Sequence, residues 1–455
     1  NDNIVWGAPM LCLMLFTGVM FTVRTGFFQL RRFPEILKLT VFARSDNRDA
    51  DSVSPFAAMC QALAATLGTG NIAGVSTALA IGGAGAVFWM WVSALFGMMT
   101  GFAENVLGML YRRKENGEYK GGAMLYIRDG LSESPKTRFL ARPLSVIFAV
   151  LCVLAGFGMG NAAQMNSASE ALNTSFGVPP LVTGIVLAVL AAIIVFGGVK
   201  RISAFTARLV PFMSAFYIIG CLYIIISNGS ELPSVLGNIL KSAFGLTQIG
   251  GGIAGAAVKT AVSMGFKRGV FSNEAGLGTS VFAHISSGVK SPVICGMWSV
   301  FEIFFDTIIM CSLTALVLLT GNCHSEKIAV TDVNEKIQYC RLIESESLIT
   351  DGIELPETMR LHTVQGEFLE VKTGGGITHS NIITVTGIAD ESGRITSAKV
   401  KPLNGVGLAA YAFSAKFGTF AGAVLSVLVV MFAFSTVIGW CYFGGEAISF
   451  LFGDR

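Results

Sequence analysis

The chain has 455 residues, of which 53% are hydrophobic and 13% charged, and it contains 53 Gly. A soluble protein carries about 25% charged residues, so this composition excludes a water-exposed globular protein of this size and indicates a membrane protein. The net charge is only +3, and no basic run is interleaved with aromatic residues. Nucleic-acid binding is therefore excluded as well.

Apolar stretches recur along the chain, each long enough to cross a hydrocarbon core about 30 Å thick, which takes about 20 helical residues. They are much longer than the alternating runs of about ten residues that form membrane barrel strands. The sequence therefore predicts an all-α polytopic membrane protein. The nine predicted segments lie near 4–28, 54–81, 86–111, 143–168, 180–198, 202–227, 248–286, 291–320 and 417–452.

The distribution of Lys and Arg among the loops predicts the orientation. The loop after the first segment carries five of them and the loop after the third carries eight, whereas the opposite turns at 82–86 and 169–179 carry none. Because short loops rich in Lys and Arg stay in the cytoplasm, we expect a multi-pass protein of the cell membrane with its N-terminus outside and Arg455 inside.

A polar stretch of about eighty residues, 322–403, interrupts the membrane segments and is expected outside the cell. Residues 359–364, 367–372 and 381–386 alternate apolar with polar side chains, which predicts a small β-rich extracytoplasmic insertion. Cys323 and Cys340 can form a disulfide on an oxidising side of the membrane. Three histidines in this stretch show no metal-ligand spacing and are expected to be solvated: His324, His362 and His379.

Two membrane segments carry a polar, Gly-rich interruption near mid-depth, at Gly68–Gly74 and at Phe271–Gly278. Glycine in a helix costs about 1 kcal/mol relative to Ala, and freed backbone in hydrocarbon costs several kcal/mol unless it lines a cavity. Close helix packing would explain the glycines but not the polar side chains beside them. We therefore predict discontinuous helices whose free backbone groups bind the ionic groups of a transported molecule.

The two interruptions stand five segments apart, which fits an inverted repeat of five plus five segments. We expect a transmembrane core at 1–321, with a first repeat near 54–227 and a second repeat from 248. The insertion at 322–403 follows, and 404–455 forms a short connecting segment and the ninth helix.

Ionisable side chains inside membrane segments are functional candidates, because burying a charge there is costly. Lys267 and Arg268 are cationic candidates in the seventh segment. Ser435 and Thr436 offer adjacent hydroxyls, which either bind a ligand or only bond back to their own helix. The segments contain no nucleophile-and-base pair, so neither an enzyme nor an organic cofactor is expected. The candidates for cation coupling are Glu104, Glu274, Asp306 and Thr307.

Six short motifs lie in or beside the apolar segments, at 68–75, 82–91, 121–127, 268–276, 306–309 and 432–440. Together they resemble the alanine or glycine:cation symporter family, the sodium:alanine symporters. The resemblance covers almost the whole chain outside 322–403. It implies a LeuT-type helix bundle that takes up small neutral amino acids, chiefly alanine and glycine, with sodium as the co-transported cation.

The resemblance also implies roles for individual residues. Trp440 would wall the substrate pocket and limit the size of the side chain, and Gln164 would face the same pocket. The residues implied to bind the amino acid, through the freed backbone of the first break and the unwound second one, are Thr69, Gly70, Asn71, Phe271, Ser272 and Asn273. The residues implied to bind sodium, through carbonyl and hydroxyl oxygens that suit a hard cation, are Ala64, Leu67, Ser435 and Thr436.

The chain departs from the family pattern in three ways. Ala84 and Ala123 stand where the family usually has Pro, and the insertion at 322–403 is not a usual family feature. The family also has two further helices after the one that ends near Phe452, so we expect either a truncated sequence or an incomplete second repeat.

The sequence thus predicts sodium-coupled symport of small neutral amino acids by alternating access. Two alternatives stay open. The first is an amino-acid sensor built on a transporter fold, and the second is a proton-coupled amino-acid transporter.

Overall fold

The structure is a computed structural model that describes residues 7–41, 53–115, 118–246, 251–321 and 405–453, together with the backbone of six strands between 328 and 402. The helices of the first half are α1 (Ala8–Arg24), α2 (Phe28–Arg31), α3 (Phe33–Val41), α4 (Pro55–Thr66), α5 (Ala73–Gly82), α6 (Gly85–Tyr111), α7 (Ala123–Ser132), α8 (Arg138–Ala155), α9 (Ala163–Phe176), α10 (Pro180–Val195) and α11 (Gly198–Ser227). Those of the second half are α12 (Leu232–Ala243), α13 (Gly251–Asn273), α14 (Ser280–Ile285), α15 (Pro292–Ile303), α16 (Ser312–Thr320), α17 (Gly405–Phe417) and α18 (Thr419–Phe452).

The strands form two separate sheets. A short antiparallel hairpin follows α6 and consists of β1 (Arg113–Glu115) and β2 (Glu118–Lys120). The other six strands pair antiparallel in sequence order, and the last returns to the first to close the ring. They are β3 (Ile328–Val333), β4 (Lys336–Leu342), β5 (Thr358–Thr363), β6 (Phe368–Lys372), β7 (Ile383–Ala389) and β8 (Ile395–Pro402).

These six strands lie within the stretch for which the sequence predicts an insertion. Cys323 lies outside the described residues, as does the side chain of Cys340 in β4, so their pairing stays a prediction. The same holds for the environments of His324, His362 and His379.

The described helices account for part of the predicted membrane segments by length and composition. Five helical stretches are long and apolar enough to cross a membrane, and α4 with α5 makes a sixth if the bent pair is one span. Two predicted segments correspond to shorter apolar helices, Pro9–Arg24 and Pro180–Val195. The predicted seventh segment contains α13 and α14, which do not meet that criterion, so a full set of nine spans stays a prediction. The five long stretches are Gly85–Tyr111, Arg138–Phe176, Gly198–Ser227, Pro292–Thr320 and Phe420–Phe452.

Both predicted helix breaks are present. Helix α4 begins at Pro55, where the Ser54 hydroxyl accepts a hydrogen bond from the Ala57 N–H at 3.2 Å. It ends at Thr66, and a short 3-10 turn precedes α5, so that the chain bends by 59°. In the second break, the chain leaves the helix after α13 and resumes it at α14.

Two further helices contain a π-helical segment, where one extra residue widens the turn. Gly156–Ala162 joins α8 to α9, and Phe304–Cys311 joins α15 to α16. Such widened turns are frequent at functional sites because they turn side chains and carbonyl groups away from the regular helix pattern. Gln164 follows the first π-helical segment by two residues, and Asp306 lies within the second.

The broken helices pack against each other and against long straight ones. Helix α5 contacts α13, whereas α4 contacts α11, α14 and α18. Glycines permit close approach around them, since a Cβ at Gly101 of α6 would lie 2.4 Å from the Ser299 hydroxyl of α15. A Cβ at Gly108 would lie 2.2 Å from the Val281 side chain of α14. The breaks therefore lie inside the helical bundle rather than at its surface.

Candidate functional site at the helix breaks

The two breaks face each other in the interior. A Cβ at Gly70 would lie 3.5 Å from the ring of Phe271, so the backbone of the first break passes directly over the end of α13. The Asn71 amide donates to the Ser272 hydroxyl at 3.0 Å, across 201 residues of chain. Thr69, Asn71 and Ser272 are all buried. The polar residues that the sequence placed in two separate segments thus meet at one place.

Gln164 closes one side of this meeting point. Its side-chain oxygen Oε1 accepts hydrogen bonds from the backbone N–H of Thr69 at 3.0 Å and from the Thr69 hydroxyl at 2.8 Å. The Gln164 side chain therefore places an acceptor next to a backbone N–H that the break frees. The family resemblance implies a substrate carboxylate at this position. Gln164 lies two residues after the π-helical segment Gly156–Ala162.

Asp306 closes the opposite side and is fully buried within the second π-helical segment. Its oxygen Oδ1 accepts from the Asn71 amide at 2.6 Å. Its oxygen Oδ2 accepts from the hydroxyls of Ser272 and Thr307, both at 2.8 Å. All of these donors are neutral, and no described Lys or Arg contacts this carboxylate. A buried carboxylate without a cation is costly, so this position is suited to binding a proton or a metal cation.

Asn273 and Thr307 extend the same network. The Asn273 amide donates to the Thr307 hydroxyl at 3.1 Å, while its oxygen accepts from the backbone N–H of Ala275 at 3.1 Å. Both side chains are buried. The end of α13 is thereby tied to the π-helical turn that carries Asp306.

Glu274 adopts a backbone conformation that is rare for its residue type, with a φ of 56°. A non-glycine residue in the left-handed region is strained, and such strain persists where the surrounding contacts impose it. Here the carboxylate is buried and accepts from the Trp440 indole at 2.9 Å and from the Thr279 hydroxyl at 2.5 Å. Glu274 is therefore a fixed part of the second break, and Trp440 is its partner across the site.

Glu104 of α6 supports the second break from the other side. Its carboxylate accepts from the backbone N–H of Gly278 at 3.0 Å and of Gly276 at 3.4 Å. Both glycines have positive φ values, 68° and 91°. The carboxylate thus satisfies N–H groups that the unwound backbone exposes. This contact favours a positioning role for Glu104.

Oxygen atoms converge where α4 ends. The Thr436 hydroxyl lies 3.2 Å from the carbonyl oxygen of Ala64 and 3.4 Å from that of Leu67. Both hydroxyls also lie near the Phe432 carbonyl oxygen, Ser435 at 2.8 Å and Thr436 at 3.1 Å. The other contact of the Ser435 hydroxyl is the sulfur of Met213 at 3.9 Å. Of the four residues assigned to sodium, the structure brings three together, and no contact in the described part of the chain joins Ser435 to the two carbonyl groups.

Glycines that hold this site together are a feature that the sequence reasoning missed. A Cβ at Gly68 would lie 2.6 Å from the Thr436 hydroxyl, and one at Gly160 would lie 2.3 Å from the Trp440 indole. By itself, the spacing of Gly156, Gly158 and Gly160 is typical of close helix packing. The tight partner of Gly160 is Trp440, which the motif alone could not identify.

The described residues contain no group of three or more His, Cys, Asp or Glu that could hold a metal ion. The oxygen set at Ala64, Leu67 and Thr436 is of a different kind, because carbonyl and hydroxyl oxygens bind hard cations such as sodium without several carboxylates.

A sequence model of the Sodium:alanine symporter family matches residues 1–340 and 378–455. The chain belongs to this family. It is therefore a multi-pass membrane transporter of a symporter class, with sodium and an amino acid as the paired cargo of the family. The residues that the family match leaves out, 341–377, lie inside the predicted insertion.

Relatives include the sodium/alanine symporter AgcS of Methanococcus maripaludis, 36% identical over 455 residues, which are 100% of this chain and 83% of AgcS. An uncharacterised transporter of Haemophilus influenzae is also 36% identical, over 457 residues, which cover 100% of this chain and 82% of the relative. The amino-acid carrier protein AlsT of Bacillus subtilis is 39% identical over 320 residues, 70% of this chain and 65% of AlsT.

Among solved structures, the chain is similar in fold to a manganese transporter of Eremococcus coleocola, with a TM-score of 0.51. The alignment covers 91% of this chain and 70% of that protein at 13% identity. At this identity the likeness concerns the fold alone.

Proposed function

We propose that the chain carries a small neutral amino acid, alanine or glycine, into the cell together with sodium, and that both bind between the two helix breaks. The observation that carries this proposal is the direct contact of the breaks, where the backbone at Gly70 faces Phe271 and Asn71 bonds to Ser272. Opposed breaks in a helical bundle supply free backbone groups to a zwitterion and to a cation at the same place.

The amino acid binds with its carboxylate on the first break. The backbone N–H of Thr69 currently donates to Gln164 Oε1 at 3.0 Å, and a substrate carboxylate replaces this acceptor or shares the donor with it. The ammonium group lies toward the unwound second break, where Phe271, Ser272 and Asn273 end α13. Trp440, packed against Gly160, limits the room for the substrate side chain.

Sodium binds to the oxygens at the end of α4. Ala64 and Leu67 contribute carbonyl oxygens, and Thr436 contributes its hydroxyl. Ser435 joins this set only if its hydroxyl leaves the Phe432 carbonyl. Because the carbonyls lie at the end of α4 and the hydroxyl lies in α18, a bound cation joins the broken helix to α18. Sodium thereby orders the break to which the amino acid binds, which couples the two cargoes.

Asp306 and its neutral donors form a second cation position next to the substrate. A second sodium ion or a proton there would neutralise a carboxylate that is otherwise buried without a cation. Proton coupling through Asp306, Glu274 or Glu104 is the second candidate mechanism. The contact of Asn71 with Asp306 at 2.6 Å favours Asp306 over the other two, since it joins this carboxylate directly to the first break.

For the arrangement of the chain we propose a LeuT-type inverted repeat. A bundle built from the second, third, seventh and eighth predicted segments rocks against the remaining helices. The core comprises 1–321 with repeats near 54–227 and from 248, and the ninth helix lies in 404–455. We place the N-terminus and the insertion at 322–403 outside the cell membrane, as the Lys and Arg pattern of the loops indicates.

Uptake of radiolabelled alanine and glycine into proteoliposomes tests the function. An inward sodium gradient is compared with an equal potassium gradient and with a proton gradient. Accumulation driven by sodium is the expected result. Accumulation driven by protons alone would replace sodium coupling with proton coupling, and saturable binding without accumulation would favour the sensor.

A further inference from the structure

The helices α5 and α13 run antiparallel along each other beyond the breaks, and small residues set their spacing. A Cβ at Gly82, at the far end of α5, would lie 3.0 Å from Met264. A Cβ at Gly74 would lie 3.9 Å from Cδ of Arg268, and Gly70 faces Phe271. One face of α13 therefore packs along α5 as far as the first break. On that face, Arg268 is the last residue before Phe271.

Arg268 makes no hydrogen bond or ion pair with any described residue, although its side chain is half-buried. Its neighbours differ in this respect, since Lys267 has a partner. A half-buried guanidinium without a protein acceptor keeps its N–H donors available for a ligand. Because Arg268 packs beside Gly74, four residues from Gly70 of the first break, its position is suited to a ligand that brings its own negative charge.

The charged side chains around the breaks indicate which charges such a ligand carries. The ionisable groups at the breaks themselves are Glu104, Glu274 and Asp306, and no described Lys or Arg contacts them. They attract an ammonium group and repel a carboxylate. Arg268 lies beside the start of α5, next to Gly74, and supplies the opposite sign. A zwitterion with adjacent ammonium and carboxylate groups matches both.

We propose that Arg268 binds the carboxylate of the amino acid on its way to the breaks and thereby selects substrates that carry an α-carboxylate. The forked guanidinium presents two parallel N–H groups, which match the two oxygens of a carboxylate. The carboxylate is held one helical turn from Gly70 while the ammonium group turns toward the acidic side chains. The substrate then reaches the break in the orientation that the backbone of Thr69 requires.

The proposal rests on the amino-acid transport proposed above and concerns a residue to which neither the comparisons nor the sequence motifs give a role. Its test uses the full chain in proteoliposomes with the variants Arg268→Gln and Arg268→Lys. Lys259→Gln is the matched control, because it removes one positive charge from an exposed position on the same helix. Alanine uptake is measured alone and in competition with L-alaninamide, which lacks the carboxylate.

We expect Arg268→Gln to raise KM for alanine about tenfold or more, since a charge-assisted contact with the substrate is lost. The sodium requirement and kcat stay near those of the wild type. The preference for alanine over alaninamide, measured as the inhibition constant of alaninamide divided by KM for alanine, falls by the same factor by which KM for alanine rises. Arg268→Lys keeps the charge without the fork and gives an intermediate KM. Lys259→Gln changes KM by less than about twofold.

An unchanged KM in Arg268→Gln, or equal weakening of alanine and alaninamide, overturns the proposal. Size-exclusion profiles and Tm identify a variant that does not fold. If Arg268→Gln does not fold, Arg268→Lys provides the test, and we expect its KM for alanine to be several-fold higher than that of the wild type. Equilibrium binding of radiolabelled alanine separates this proposal from symport itself. If the wild type binds alanine but does not accumulate it, symport is contradicted while the ratio of Kd values still tests Arg268. If the wild type binds no alanine, both proposals are wrong.

Discussion

The indole of Trp440 donates a hydrogen bond of 2.9 Å to the carboxylate of Glu274, which joins α18 to the strained residue at the start of the second break. The residues are 166 positions apart in sequence and both are buried. This bond fixes one wall of the proposed pocket to the unwound backbone. Changes to either partner therefore act on substrate size and on the conformation of the break together.

Trp440→Phe tests this bond while leaving an aromatic wall. The variant leaves a buried carboxylate oxygen without its donor, which costs about 1–3 kcal/mol. We expect a lower Tm and a loss of alanine uptake of at least tenfold. The side-chain oxygen of Gln in Glu274→Gln can still accept a hydrogen bond from the indole. We therefore expect a smaller decrease in Tm for Glu274→Gln than for Trp440→Phe. Equal uptake by wild type and Trp440→Phe contradicts the importance of the bond.

Gly160→Ala tests the packing behind Trp440. A Cβ there lies 2.3 Å from the indole, so the ring must shift, at a cost of about 1–3 kcal/mol. We expect reduced uptake and a lower Tm. Gly158→Ala is the matched control in the same π-helical segment, since nothing lies within 4 Å of its Cβ. Equal effects of the two substitutions would show that these glycines act through backbone flexibility. The space that Gly160 leaves for the Trp440 indole would then not be the cause.

Thr436→Ala separates the two hydroxyls of α18. Only Thr436 lies near the carbonyl groups of Ala64 and Leu67, so its loss removes a proposed sodium ligand. We expect the sodium concentration for half-maximal uptake to rise roughly tenfold or more, with Thr436→Ser close to the wild type. Ser435→Ala should change it little. A larger effect of Ser435→Ala would assign the ligand role to Ser435 instead.

Asp306→Asn removes the charge of the second cation position and keeps its shape. The amide can still accept from the Asn71 amide or the Ser272 hydroxyl, so we expect a folded protein with normal Tm. Uptake driven by an ion gradient is expected to fall at least tenfold, while exchange of alanine across the membrane without a gradient is retained. Full gradient-driven uptake in Asp306→Asn would show that the carboxylate only stabilises the fold.

The positions of the breaks could be predicted from sequence because they depend on local composition. Gly68 to Gly74 and Phe271 to Gly278 combine residues that weaken a helix with polar groups that need partners in a membrane. The association of Thr69 with Gln164 was implied only by family resemblance. The structure adds its geometry, in which one side-chain oxygen accepts two hydrogen bonds.

Features that depend on the rotation of a helix about its own axis could not be predicted from the sequence. Ser435 and Thr436 are adjacent in sequence, and only the rotation of α18 about its axis decides which one lies near Ala64. The widened turn at Phe304–Cys311 is likewise set by tertiary contacts, and it determines that Asp306 reaches Asn71, 235 residues away. The partner of Gly160 depends on how α18 crosses α8 and α9.

Sodium and an amino acid that bind at one pair of breaks are expected to cross the membrane together. The most direct test measures the flux of radioactive sodium and of radiolabelled alanine in the same proteoliposomes. We predict that each flux requires the other solute, that their ratio is constant over a range of gradients, and that Thr436→Ala lowers both together. Alanine flux that proceeds unchanged without sodium, or sodium flux that does not depend on alanine, would contradict coupled transport.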